Sequence, residues 1–179
     1  MGDPHNPARY GETWPQHKID YYLREMTRIR PYAIISGGWA WHFLSPPHTE
    51  YKHLHDHKDL DIHVPGREVH SAISRLLAGG FKRVNTRFDG KPSAEEFRRY
   101  EAEAVAHPPF RVTVDFFVKD VPYREIDGWK IVEPETLLSM YGNIHDSGYC
   151  IAVRAARALM ARKIDPQGRP ELIELPPRR

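Results

Sequence analysis

The sequence predicts an α+β fold in which one small mixed β-sheet is flanked by helices. Three observations lead there. Apolar residues recur at three- and four-residue steps between Lys18 and Arg30, the period of an amphipathic helix. Leu60–Val64 and Phe110–Val118 alternate apolar and polar side chains, the period of a half-buried strand. Along the chain the patterns run helix, strand, helix, strand, helix, several strands, then helices, so helices pack against a single sheet.

The first helix covers Lys18 to about Arg30, with Ile19, Tyr22, Leu23, Met26 and Ile29 on one face, and Pro31 closes it. Tyr32–Ile35 reads as a short buried strand that Ser36-Gly37-Gly38 breaks. Trp39–Leu44 has room for about two helical turns before Ser45-Pro46-Pro47, and a polar, histidine-rich loop spans 46–58. A helix over Val69–Leu77 ends at Gly79-Gly80, and Phe81–Val84 forms another strand. Residues 89–100 are charged and ambiguous. Phe110–Val118 is the clearest strand, rich in β-branched and aromatic residues. Trp129–Val132 is a short strand, Pro134 opens a helix running from Glu135 to Tyr141, and a last helix covers roughly Gly148–Lys163.

A chain of 179 residues with 40% apolar content supports one core. The expected organisation is a flexible arm over 1–15, a core over 16–133, and a helical segment with a proline-rich tail over 134–179. No run approaches the roughly 18 apolar residues of a membrane span. The polar, proline-rich start fits neither a signal nor a transit peptide, so a cytoplasmic setting is expected and a membrane is not. The single cysteine, Cys150, excludes an internal disulfide and a thiolate metal cluster. Arginines group at Arg24/Arg28/Arg30, Arg98/Arg99 and Arg154/Arg157/Arg162, where they could meet phosphates. A net charge of +2 nevertheless argues against a duplex-DNA binder, and such groups are read first as solvated faces.

Chemistry concentrates at three places. Glycines at Ser36-Gly37-Gly38, where a strand gives way to a helix, let backbone approach a ligand and point free N–H groups at phosphate. In His57-Lys58-Asp59-Leu60-Asp61, strand geometry puts Asp59 and Asp61 on one face, together with His63 and opposite Leu60, Ile62 and Val64. Two like charges so close call for a hard divalent cation. Asp115 interrupts the most apolar strand, where a carboxylate must be paired, bound to metal or turned to solvent. Three carboxylates on neighbouring strands beside a glycine turn would form a two-metal site for phosphoryl or nucleotidyl transfer.

Gly37-Gly38-Trp39-Ala40, followed after a loop by His57-Lys58-Asp59-Leu60-Asp61, resembles the signature of nucleotidyltransferases related to DNA polymerase β. The motif is most similar to that of the antibiotic-modifying adenylyltransferases acting on aminoglycosides and lincosamides, whose relatives include toxins of toxin–antitoxin systems. The resemblance covers residues 32–64 and, less fully, 110–118. It implies that Ser36, Gly37 and Gly38, with His57 and Lys58, hold a nucleoside triphosphate, with ATP the expected one. It further implies that Asp59, Asp61 and Asp115 bind Mg²⁺ or Mn²⁺, with Asp115 as base toward a hydroxyl acceptor on a small molecule, an RNA or a protein. The loop between Gly38 and Asp59 is longer than in the antibiotic enzymes, and their acceptor-binding helices are not recognisable in 134–179.

Two other readings stand beside this one. The fold could serve as a non-catalytic nucleotide-binding or toxin–antitoxin module. The crowd of His48, His53, His55, His57 and His63 could instead hold Zn²⁺ for a hydrolase. Trp39, Trp41, Phe43 and Tyr51 could stack on a base, although aromatics after a strand more often fill core.

Overall fold

A computed structural model describes residues 15–44, 59–91, 96–106 and 108–141. The arm over 1–14, the histidine-rich loop with His48, Tyr51, His53, His55, His57 and Lys58, and everything after Tyr141 lie outside the described residues. So do Cys150, the last helix and Arg154, Arg157 and Arg162.

The fold is α+β. Its elements are α1 (Gln16–Met26), β1 (Ile34–Ile35), α2 (Gly37–Leu44), β2 (Leu60–Val64), a 3₁₀ turn (Gly66–Glu68), α3 (Val69–Ala78), β3 (Lys82–Val84), β4 (Phe97–Ala104), β5 (Phe110–Val118), β6 (Tyr123–Ile126), β7 (Trp129–Val132) and α4 (Pro134–Tyr141). The seven strands form one mixed sheet in the order β3-β4-β5-β2-β1-β7-β6. The pairs β2–β5 and β1–β7 are parallel and the remaining pairs antiparallel.

Period-two alternation explains the core. Leu60, Ile62 and Val64 of β2, Val112, Val114 and Phe116 of β5, and Tyr100 and Ala104 of β4 are all buried. Tyr22, Met26 and Ile29 from the first helical segment and Leu76 of α3 close over Leu60, Val112 and Val114. Tyr22 pins α1 to the sheet: its hydroxyl accepts from Thr113 N–H at 3.2 Å and donates to the Arg111 carbonyl at 3.5 Å. Its ring stacks on Trp39 at 5.3 Å. Trp39 and Trp41 are almost fully buried, as core residues would be, and the half-buried Phe43 meets Trp129 at 5.6 Å.

Several boundaries differ from the sequence reading. α1 stops at Met26, and 27–32 continues as turns with i→i+3 bonds such as Ile29 N–H to Met26 O at 3.0 Å. Pro31 disfavours the α conformation at Arg30, and Thr27 returns its hydroxyl to Leu23 O at 2.9 Å. Ile29 still reaches the core from the turn. β1 shrinks to two residues. β4 and β6 have no counterpart in the sequence reading. β4 hid behind Arg98, Arg99, Glu101 and Glu103, which disguise the alternation of Tyr100, Ala102 and Ala104. β6 and β7 form a hairpin across Asp127-Gly128, both at positive φ (50° and 76°), as a two-residue turn between right-twisted strands requires. Arg30 fastens that turn to the end of the first helical segment, donating from Nε to Gly128 O at 2.8 Å and from Nη2 to Asp127 O at 2.7 Å. Lys130 donates in the other direction, to Pro31 O at 2.8 Å.

The start of the segment expected over 134–179 packs on the core. Pro134 and Leu137 of α4 are buried, and Ser36 Oγ donates to Met140 Sδ at 3.9 Å. Among the described residues no helix is long and apolar enough to cross a membrane.

Candidate functional site

The face of the sheet opposite α1 and α3 carries two rows of side chains running across β4, β5 and β2. Register sets both rows. Arg99 pairs with Asp115 and Asp115 with Asp61, while Phe97 pairs with Phe117 and Phe117 with His63. Since neighbouring strands lie about 4.8 Å apart, the parallel β2–β5 pairing makes Asp61 and Asp115 immediate neighbours. Asp59, at the bend entering β2, completes the group.

Arg99 ties the carboxylates together. Its Nε donates to Asp115 Oδ1 at 2.6 Å and its Nη2 to Asp115 Oδ2 at 2.7 Å, a two-point fork. Nη2 also lies 3.7 Å from Asp59 Oδ2. The Asp115 side chain is only 10% exposed and that of Arg99 24%, so solvent screens the pair weakly. The hydrogen bonds to Asp115 raise the Arg99 pKa further above its ordinary value, with the charges of Asp115, Asp59 and Glu101 adding to them and burial opposing.

The glycine turn stands at the other side of Asp61. Gly37 has φ +58°, and a Cβ there would lie 2.0 Å from Asp61 Oδ2. Only glycine lets that carboxylate approach the start of α2, where the helix dipole favours negative charge. Ser36 N–H donates to Asp61 O at 2.8 Å, so the turn is stitched to β2 on the main chain as well. Ser36 itself is buried, with its hydroxyl on Met140 and its carbonyl accepting from Ala40 N–H at 3.1 Å. Of the three residues expected around phosphate, Gly37 and Gly38 open α2, and Ser36 is placed beneath the turn.

The aromatic row is tightly packed. Phe97 and Phe117 rings are 5.2 Å apart, and His63 and Phe117 5.3 Å. Burial, assisted by the positive charge of Lys119, lowers the His63 pKa from 6.5 to about 4, and its Nδ1 has no hydrogen-bond partner. His63 thus shares a face with Asp61, as strand periodicity predicts, but sits neutral among rings.

Asp59, Asp61 and Asp115 therefore do come together around Arg99, with Asp61 against Gly37. Arg99 is the member that sequence reasoning missed. It appeared only as part of a charged pair, because the sequence does not state the register of β4 on β5. A divalent cation does not fit the cluster as arranged. Both oxygens of Asp115 already accept from Arg99, and among the described residues no group of three or more His, Cys, Asp or Glu side chains could hold a metal ion.

No protein-family model matches the chain, and no curated protein matches it. Among solved structures, the fold is similar to the crystal structure of JHP933 from Helicobacter pylori, at 10% sequence identity and a TM-score of 0.48, over 87% of this chain and 78% of that one. A match of that strength says nothing about activity.

Proposed function

We propose that the chain is a cytoplasmic member of the nucleotidyltransferase superfamily that moves a nucleoside monophosphate from a triphosphate, ATP by preference, to a hydroxyl acceptor. The observation that carries this reading is the parallel β2–β5 register, which sets Asp61 beside Asp115, with Asp61 against the Gly37 turn. Carboxylates on adjacent strands next to a glycine-opened helix are one arrangement that can position groups for in-line phosphoryl transfer. Main-chain N–H groups of Gly37 and Gly38 receive phosphate oxygens, aided by the dipole of α2. The acceptor oxygen bonds to the α-phosphorus as the bond to the bridging oxygen breaks and pyrophosphate leaves. Asp115 takes the hydroxyl proton once it is free of Arg99. Mg²⁺ or Mn²⁺, if admitted, would supply charge neutralisation at this point.

A second reading has one observation in its favour. A site whose third carboxylate is closed by an arginine suits a nucleotide-binding module without turnover. Transfer of label from α-³²P nucleoside triphosphates separates the two readings, with Mg²⁺ or Mn²⁺ present and with total RNA, protein, and an aminoglycoside and lincosamide panel as acceptors. Label moved by the wild type and lost in Asp59→Ala/Asp61→Ala establishes the enzyme and its acceptor class. Metal-dependent triphosphate binding without transfer establishes the module.

A further inference from the structure

We infer that the turn joining β3 to β4 is a docking surface for a single-stranded nucleic acid, with Phe88 as the ring a base stacks on and Arg87 and Lys91 as its phosphate contacts. The surface lies outside the carboxylate cluster and acts whether or not that cluster turns over a triphosphate. Charge is the first observation. The whole chain carries a net +2, yet the ten residues from Lys82 to Lys91 hold four cations and one carboxylate, Asp89. That carboxylate is engaged inside the turn, where it accepts from Thr86 N–H, from Thr86 Oγ1 at 2.9 Å and from Arg83 Nη2 at 3.0 Å. Arg87 and Lys91 are exposed and pair with no carboxylate among the described residues. Both sit instead over the Phe88 ring, 4.9 and 5.9 Å from its centroid.

The ring is the second observation. Phe88 is 42% exposed and meets Phe97 edge-on at 5.9 Å, so it forms the open end of the aromatic row that continues through Phe117 to His63. The turn holds it there. Asp89 N–H donates to Thr86 O at 3.2 Å and Lys91 N–H to Phe88 O at 3.1 Å, while Gly90 takes φ +79°. A ring presented on a tied turn needs little further ordering when it binds. Cation–π contacts at exposed sites are weak, so Arg87 and Lys91 can turn to phosphates while a base takes a face of Phe88. Single-strand binders combine these two elements: aromatic faces hold bases of any sequence, and cations follow the backbone. A duplex keeps its bases stacked inside, away from Phe88, and an acidic peptide would leave the ring bare.

The test is fluorescence anisotropy of labelled oligouridylate and oligodeoxythymidylate on the full chain, across a salt series. Triphosphate and metal are left out, so failure of this surface and failure of nucleotidyl transfer are read separately. Binding of either strand supports the surface, and the stronger of the two names the sugar. Phe88→Ala should weaken binding about tenfold with the salt slope unchanged. Phe88→Trp should bind at least as tightly as wild type. Arg87→Gln/Lys91→Gln should weaken binding and lower the logarithmic salt slope by about 1.4, the value for two single-strand phosphate contacts. Arg75→Gln, an exposed cation on α3 behind the sheet, should change neither. Photocross-linking with 5-iodouridine, mapped by mass spectrometry, should mark the peptide containing Phe88, a readout that remains if Phe88→Ala fails to fold. Binding that Phe88→Ala leaves intact, or that duplex RNA or polyglutamate displaces equally well, overturns the inference and leaves a general polyanion patch. Absence of saturable binding to either strand overturns it outright.

Discussion

The two faces of the β4-β5-β2 sheet are written in alternate residues of the same strands, yet they are buried by different physics. On one face, Val112 and Val114 lie under α1 and α3, and Phe116 beside them packs edge-on against Tyr100, so the cover is mainly apolar. On the other, Asp115 is buried too, at 7% exposure, because a guanidinium fork matches it. The first kind of burial tolerates exchange among side chains of similar volume. The second depends on one partner, so removing either member leaves a charge stranded. A single residue step along β5 thus crosses from a face held by apolar packing to one held by a matched ion pair.

Substitutions along β5 give this contrast numbers. Phe116→Ala, at a fully buried ring, should cost about 3–5 kcal/mol in equilibrium unfolding. A cost near 1 kcal/mol would mean the helix-covered face is not the principal core. Asp115→Ala should cost about 2–3 kcal/mol, less than removal from a fully buried pair because Arg99 keeps some contact with water. If the loss is no more than that of a surface ion pair, about 0.5 kcal/mol, then the fork contributes position rather than stability. Gly37→Ala should cost about 2 kcal/mol, combining a left-handed backbone with the collision against Asp61. The same variant should lose triphosphate binding in a filter assay, whereas Gly66→Ala, which meets nothing within 4 Å, should not.

Acid should act through the aromatic row. His63 is neutral in the fold down to about pH 4, while the unfolded chain takes up its proton below about pH 6.5. Stability is therefore complete above pH 6.5 and falls with pH between 6.5 and 4, by about 2 kcal/mol at pH 5. His63→Phe should flatten that slope in urea titrations, and an unchanged slope would assign the acid sensitivity elsewhere. Phe117→Ala, one residue beyond Phe116 but only partly buried, should show the smallest effect, about 1 kcal/mol.

Legibility in the sequence followed the same division. β2 and β5 have the bounds that their alternation predicts, because strong apolar periodicity records a face that must be buried. β4 alternates too, but its outer face is Arg99, Glu101 and Glu103, and a strand paired through charge looks like a loop when read alone. The Asp127-Gly128 turn was a readable hairpin signal, and it places β6 beside β7. Asp59 and Asp61 declared their proximity through spacing, and the Gly37 turn through its two glycines. The meeting of Asp61 with Asp115 is a long-range parallel pairing, and Arg99 opposite Asp115 is a matter of hairpin register. Neither leaves a mark on nearby residues.

The attachment of Arg30 to the Asp127-Gly128 turn bears on how the chain is made. Its two ends are 97 and 98 residues apart in sequence, and β7 docks beside β1 at the same place. At a synthesis rate of about 5–20 residues per second, β1 waits roughly 5–20 seconds for that neighbour. Such distant pairing also slows folding of the finished chain relative to one built from local contacts. The Gly37 turn is therefore carried through synthesis on a strand with one edge open.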